Sequence, residues 1–258
     1  MKLKFIILFI LIAGIANAQQ VRSNKFKSVK WSLAQITSVY DNADTATLKS
    51  DNIIAKYKPS IDSLLTPIGI SAKEMEKYPP ESPLSNWAVD VMRMFADEYM
   101  KTNRIQDKCD MAITNFGGIR TSLPAGEVNS YDILSIFPFD NRVVILDLEG
   151  KYVRELMENF AKRGRVEALS GVEMVINKKV LEKCLINGKP IKDDKIYKVA
   201  TIDFLLAGGD SVYALKYASK VINTQTILRD VYIEYIKNQS AKGKIIDAHT
   251  DSRVKIIK

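Results

Sequence analysis

Residues 112–126 read AITNFGGIRTSLPAG, an apolar run that ends at Asn115 and is followed at once by a glycine pair and Arg120. Glycine lets backbone N–H groups come close to a ligand, and a guanidinium offers oxygen-rich partners a planar, permanently charged fork. Those residue types in that order suit a ligand loop. They suit a plain turn equally well, because Gly-Gly commonly ends a strand and an exposed arginine needs no ligand. Other chemistry has less material to work with. The chain has a single histidine, His249 in DAHTDS, read here as a surface or loop residue. A two-metal hydrolytic site needs several histidines and carboxylates on converging loops, and a serine or cysteine nucleophile needs a histidine or comparable base beside it.

Three further stretches follow the glycine loop in order: FPFDN at 137–141, Gly164, and DFLLAGGD at 203–210. With NFGGIR, at these spacings, they resemble the C-terminal domain of 5′-nucleotidases, secreted metal-dependent enzymes that hydrolyse nucleoside phosphates. Flanking pieces extend the likeness from about residue 30 to residue 250: ESPLSNWAVDVM, LPAGEVNSYDILSIFPF and GKPIKDDKIYKVAT. The resemblance implies a substrate-binding domain in which a base stacks between Phe139 and Phe204. It further implies that Asn141 and Gly164 contact the base, Asp210 accepts from the ribose hydroxyls, and Arg120 and Asn115 lie near the sugar and phosphate. The chemistry is apt: stacking needs only a flat π-surface, a carboxylate can accept from both hydroxyls of a vicinal diol, and a guanidinium grips phosphate by paired hydrogen bonds. Taken one at a time, the same residues read as two core rings, a turn asparagine, a helix stop at Gly164, and a turn or cap at Asp210.

Two departures from the family pattern matter. Family members carry a further arginine just before the helix that corresponds to residues 83–101; here the stretch is KEMEKYPPES, where Lys73 and Lys77 are the available cations, without the fork. The larger departure is that no Gly-Asn-His-Glu stretch of a metallophosphatase domain occurs, and the single histidine, His249, cannot supply the several that a two-metal site needs. The resemblance therefore implies a chain that binds no cofactor itself, with divalent metals held by a separate metallophosphatase protein, the pair hydrolysing nucleotides. The alternative is a non-catalytic protein that captures or senses nucleosides or nucleotides.

The first residues, MKLKFIILFILIAGIANAQQ, have the layout of a secretory signal: Lys2 and Lys4, an apolar run, then Ala16-Asn17-Ala18. Cleavage after residue 18 leaves 19–258 as one domain of the 5′-nucleotidase C-terminal type, expected in the periplasm or outside the cell with no membrane span. The net charge is +8 over 258 residues, and +6 without Lys2 and Lys4. That mild excess suits an anionic ligand, and dispersed lysines with no aromatic-interleaved basic block give no case for nucleic acid. Cys109 and Cys184 read as either one disulfide or two thiols.

The elements expected to hold these residues mix strands and helices without regular alternation, which points to an α+β domain with a mixed sheet and packed helices. Residues 28–40 read as a strand, and 51–68 as a helix kinked or divided at Pro59. Leu84, Trp87, Ala88, Val91, Met94, Phe95 and Met100 stripe one face of a helix over 83–101. DMAITNF is a short buried strand, Ser130 an N-cap before YDILSIF, and NRVVILDLEG a strand. KYVRELMENFAKRG is a helix stopped by Gly164. GVEMVI and KCLI are strands, the second turning at Asn187-Gly188; IYKVATIDFLL is a strand, about 224–240 a helix, and SRVKII a last strand.

Overall fold

The computed structural model describes residues 45–257. The expected signal segment and the strand at 28–40 lie outside the described residues. The chain divides into two units at Ile54 and Ala55. Of the first, only the start of helix α1 (Thr45–Leu65) is described; α1 runs through Pro59 as one helix. The remaining elements all belong to the second unit.

Five strands form its central sheet: β2 (Met111–Thr114), β4 (Arg142–Glu149), β5 (Ala168–Ser170), β9 (Ile196–Ile202) and β10 (Lys220–Ile227), in the order β10-β4-β9-β2-β5. All neighbours are antiparallel except β2 and β9, which run parallel with Met111 opposite Val199. A four-stranded sheet holds β6 (Val172–Asn177), β7 (Val180–Ile186), β8 (Lys189–Pro190) and β11 (Val254–Ile257), and a ribbon pairs β1 (Pro67–Ser71) with β3 (Gly126–Asn129). This is the expected α+β architecture.

Helix α2 (Pro83–Thr102) starts where Ser82 and Ser85 form a reciprocal capping box with Pro83 in the first turn. Its apolar stripe buries Leu84, Ala88, Val91 and Met92 in the core. Helix α3 (Ser130–Ile136) is capped by Asn129 and not by Ser130, because the Asn129 side chain accepts from the Asp132 N–H while Asp132 bonds back to Asn129. Helix α4 (Gly150–Arg163) ends at Gly164 with φ 65°, the left-handed stop that a glycine allows at no steric cost.

Several expectations shift. Residues 67–71 leave the helix to form β1, and DFLL leaves the strand as a short helix α5 (Asp203–Leu206), whose first turn is tied by Asp203 Oδ1 accepting from the Phe204 N–H at 2.8 Å. The late helix α6 begins at Leu228 and runs to Ala241, since 220–227 pairs with β4 as the edge strand β10. Asn187 and Gly188 turn a hairpin with both φ positive, as expected, and Lys178-Lys179 do the same between β6 and β7. Cys109 and Cys184 are free thiols. Under α2 and α6 the core closes on Tyr232, whose ring lies 4.3 Å from that of Phe137 and 5.0 Å from that of Trp87.

Candidate functional site

The parallel neighbours β2 and β9 leave the sheet at the same end, β2 directly into one glycine loop and β9 through the single turn of α5 into the other. After β2, Asn115 enters a tight turn at Phe116–Gly118. Its Nδ2 donates to Asp210 Oδ2 at 2.6 Å, so the two loops are joined side chain to side chain. Neither glycine of the first loop has a positive φ. Their role is space: a Cβ on Gly118 would stand 2.6 Å from Asn115 Oδ1, and one on Gly117 would stand 3.3 Å from Asn115 Nδ2. The pair makes room for the Asn115 amide. That amide is 6% exposed, and its Oδ1 has no hydrogen-bond partner among the described residues. A buried acceptor left open in this way is costly until a donor arrives.

The second loop is bent more sharply. Gly208 has φ 93°, and Asp210 and Ser211 follow with φ 49° and 61°. Two successive non-glycine residues in the left-handed region carry backbone strain, which concentrates where geometry serves a ligand. Gly209 is bare for a local reason: a Cβ there would fall 2.6 Å from Phe204 Cδ1 and nearer still to Cζ and Cε1. The Phe204 ring therefore lies against the Gly209 backbone.

The structure thus places all seven expected site residues around one end of the sheet. Phe139 and Asn141 line a narrow cleft with Thr114, Asn115, Gly118, Phe137 and Leu228. Arg120 donates to the Gly117 carbonyl at 3.1 Å and holds its guanidinium 6.0 Å from the centre of the Phe139 ring. Asp210 meets Asn115, Phe204 packs on Gly209, and Gly164 follows Arg163, which donates to the Asp210 carbonyl at 2.7 Å. Phe139 and Phe204 are 47% and 43% exposed, and neither stacks on another aromatic ring among the described residues. Two large rings half in water at one end of a sheet offer flat apolar faces on which another ring can stack.

Of the two lysines considered for the missing arginine, Lys77 is at the site. Its Nζ donates to the Phe116 carbonyl at 3.1 Å and to the Ile119 carbonyl. Partial burial, and then repulsion from Arg120, lower its pKa. Lys73 is committed elsewhere, 2.9 Å from Asp247. Neither Lys77 nor Arg120 pairs with a carboxylate among the described residues, so the first loop carries two uncompensated cations.

Two residues of this region escaped sequence reasoning. Arg163 spans to the second loop, and Glu167, wholly buried, accepts from the Phe116 N–H of the first loop at 2.8 Å. The signal was present in RGRVE: an acid preceded by two arginines at the entrance to a buried strand. Among the described residues no group of three or more His, Cys, Asp or Glu side chains converges to hold a metal ion, and His249 stands exposed beside Asp247. That donor set does not fit the two metals of a phosphatase centre.

Residues 65–217 match the family described as "5'-nucleotidase, C-terminal domain". The chain belongs to that family. Protein UshA of Yersinia enterocolitica is 30% identical over 135 residues, which cover 51% of this chain and 24% of that protein. The Cell wall protein Lmo0130 of Listeria monocytogenes is 30% identical over 191 residues, covering 67% of this chain and 23% of its own length. The chain spans about a quarter of the length of these curated relatives. Among solved structures, a 5'-nucleotidase precursor from Thermus thermophilus superposes with a TM-score of 0.66 at 20% identity, covering 82% of this chain and 43% of the other. The NAD nucleotidase of Haemophilus influenzae gives 0.61 at 21% identity, covering 81% and 41%. These structures share the fold of the 5′-nucleotidase C-terminal domain. No helix among the described residues is long and apolar enough to cross a membrane.

Proposed function

We propose that this 5′-nucleotidase C-terminal domain binds the nucleoside part of a nucleotide between Phe139 and Phe204, and that a separate metallophosphatase polypeptide supplies the metals and breaks the phosphate ester outside the cytoplasm. The observation that carries the reading is the joining of the two glycine loops through Asn115 and Asp210, with one half-exposed phenylalanine beside each loop. In this reading the base enters between the rings, with Asn141 and the Gly164 backbone at its edge. Asp210 and the open Asn115 Oδ1 accept from sugar hydroxyls, and Arg120 with Lys77 faces the phosphate end. Periplasmic or secreted placement belongs to the same proposal, supported by the signal-like first residues and by a relative named as a cell wall protein.

Titration calorimetry of residues 19–258 with adenosine and AMP tests the binding half. Saturable one-to-one binding that Phe139→Ala and Phe204→Ala both weaken supports it; heat indistinguishable from dilution refutes it. Mixing the protein with purified metallophosphatase polypeptides tests the rest. Release of phosphate from AMP that requires both proteins supports a divided enzyme. Tight nucleoside binding with no gain of activity from any partner favours the capture or sensing role.

A further inference from the structure

Among the described residues outside the clamp, the most completely buried carboxylate is Glu167, and its place in the fold is specific. Strand β5 pairs antiparallel with β2, Thr114 opposite Ala168. One step further along that ladder, backbone pairing gives way to a side chain: the Phe116 N–H donates to Glu167 Oε2 at 2.8 Å. Among the described residues Oε1 makes no hydrogen bond, and it lies 3.9 Å from Arg163 Nη2 and 3.7 Å from Arg165 Nε. A carboxylate at this depth with one oxygen unpaired is a net cost to the fold that its ion pairs do not plainly recover. Four residues earlier, Arg163 lies over the Phe160 ring and donates to the Asp210 carbonyl at 2.7 Å. Between the two, Gly164 reverses the chain at φ 65°.

One five-residue segment therefore grips both glycine loops, the first at Phe116 through Glu167 and the second at Asp210 through Arg163. The loops meet again through Asn115 and Asp210. We propose that Glu167 and Arg163 are positioning residues, a clasp that sets the spacing between the two glycine loops on which the proposed nucleoside site is built. Gly164 is its hinge, which gives that glycine a task in the site apart from any contact with base. The inference rests on the nucleoside reading for its ligand and stands on the loop geometry for itself. The charged groups around Glu167 are Arg163, Arg165 and Asp210, with Lys77 bonded to the carbonyl of the same Phe116.

Hydrogen exchange read by mass spectrometry on the whole chain tests the clasp without a ligand. Glu167→Ala should speed exchange in 115–120 about tenfold, and Arg163→Met, which keeps an unbranched apolar stem and removes the guanidinium, should do so in 203–212, with β4 peptides unchanged in both. Glu167→Gln retains an oxygen for Phe116 and should hold the first loop within about twofold of the unaltered protein. In parallel titrations with adenosine, Glu167→Ala and Arg163→Met should each bind about tenfold more weakly, and Glu167→Gln about as well as the unaltered chain. Unchanged loop exchange, a uniform rise across the chain, or a Glu167→Gln protein as loose as Glu167→Ala would overturn the clasp. If Glu167→Ala fails to fold, Arg163→Met and Glu167→Gln still decide it. If the unaltered protein takes up no adenosine, the nucleoside reading fails and the exchange comparison still judges the clasp.

Discussion

Replacing Gly209 by alanine isolates the Phe204 ring from every other part of the site. The added Cβ would fall 2.6 Å from Cδ1 and closer to Cζ and Cε1, whereas carbon atoms rest about 3.5–4.0 Å apart. The ring must retreat by at least about 1 Å. At 43% exposure it can swing into solvent, so the fold should lose less than about 1 kcal/mol. Base stacking depends on that face and is worth about 1–3 kcal/mol, so adenosine affinity should fall about 5- to 150-fold while the melting temperature barely moves. Calorimetric titration and thermal melts of Gly209→Ala, Phe204→Ala and the double variant make the test. Because the alanine acts only through the ring, the double variant should bind no worse than Phe204→Ala alone. Multiplicative losses, or full affinity in Gly209→Ala, would refute the argument that the ring's seat on the loop creates the site.

Phe139→Ala should weaken adenosine about tenfold, and should also release the Arg120 guanidinium, seen as faster exchange of that side chain's N–H signals in nuclear magnetic resonance. Burial raises the pKa of Glu167 above 4.5, so the folded chain takes up this proton at a higher pH than the unfolded chain does. Between those two pKa values the folded state holds more protons, and stability falls as pH rises. Glu167→Gln should therefore melt at least as high as the unaltered protein at pH 7, and that advantage should vanish near pH 4; a deficit at pH 7 that grows with pH would contradict the direction. Burial pushes the thiols of Cys109 and Cys184 up to about 12 each, so both should resist iodoacetamide at pH 8 in the folded protein and react once it is unfolded, as followed by intact mass.

Those elements whose burial shows in their own side chains were legible in the sequence. The stripe of Leu84, Ala88 and Val91 marks α2, and the β-branched runs of β4 and β9 mark the sheet centre. Strand β10 was not legible, because it is an edge: Lys220, Val221 and Asn223 face solvent, and their partner strand, β4, covers only one side. DFLL passed for strand because an apolar run continues unbroken from β9; only Asp203, bonded back to the Phe204 N–H, marks the change to helix. At the site, the order of the four motifs picked out Asn115, Arg120, Phe139, Asn141, Gly164, Phe204 and Asp210. It did not tell why Gly118 must be bare, which depends on an Asn115 amide turned toward a residue far along the chain. Glu167 and Arg163 stayed hidden for the same reason: their partners are backbone groups, which leave no trace in residue type.

The parallel seam between β2 and β9 has a consequence for the order of events during synthesis. Met111 must wait for Val199 to emerge before the seam can close, and the antiparallel strand β4 is already in place to receive β9 on its other flank. Long-range pairings of this kind form slowly. A growing polypeptide that has passed Arg120 owns the first glycine loop and lacks the second, so the link from Asn115 to Asp210 can form only late, once β9 has been made and has docked beside β2.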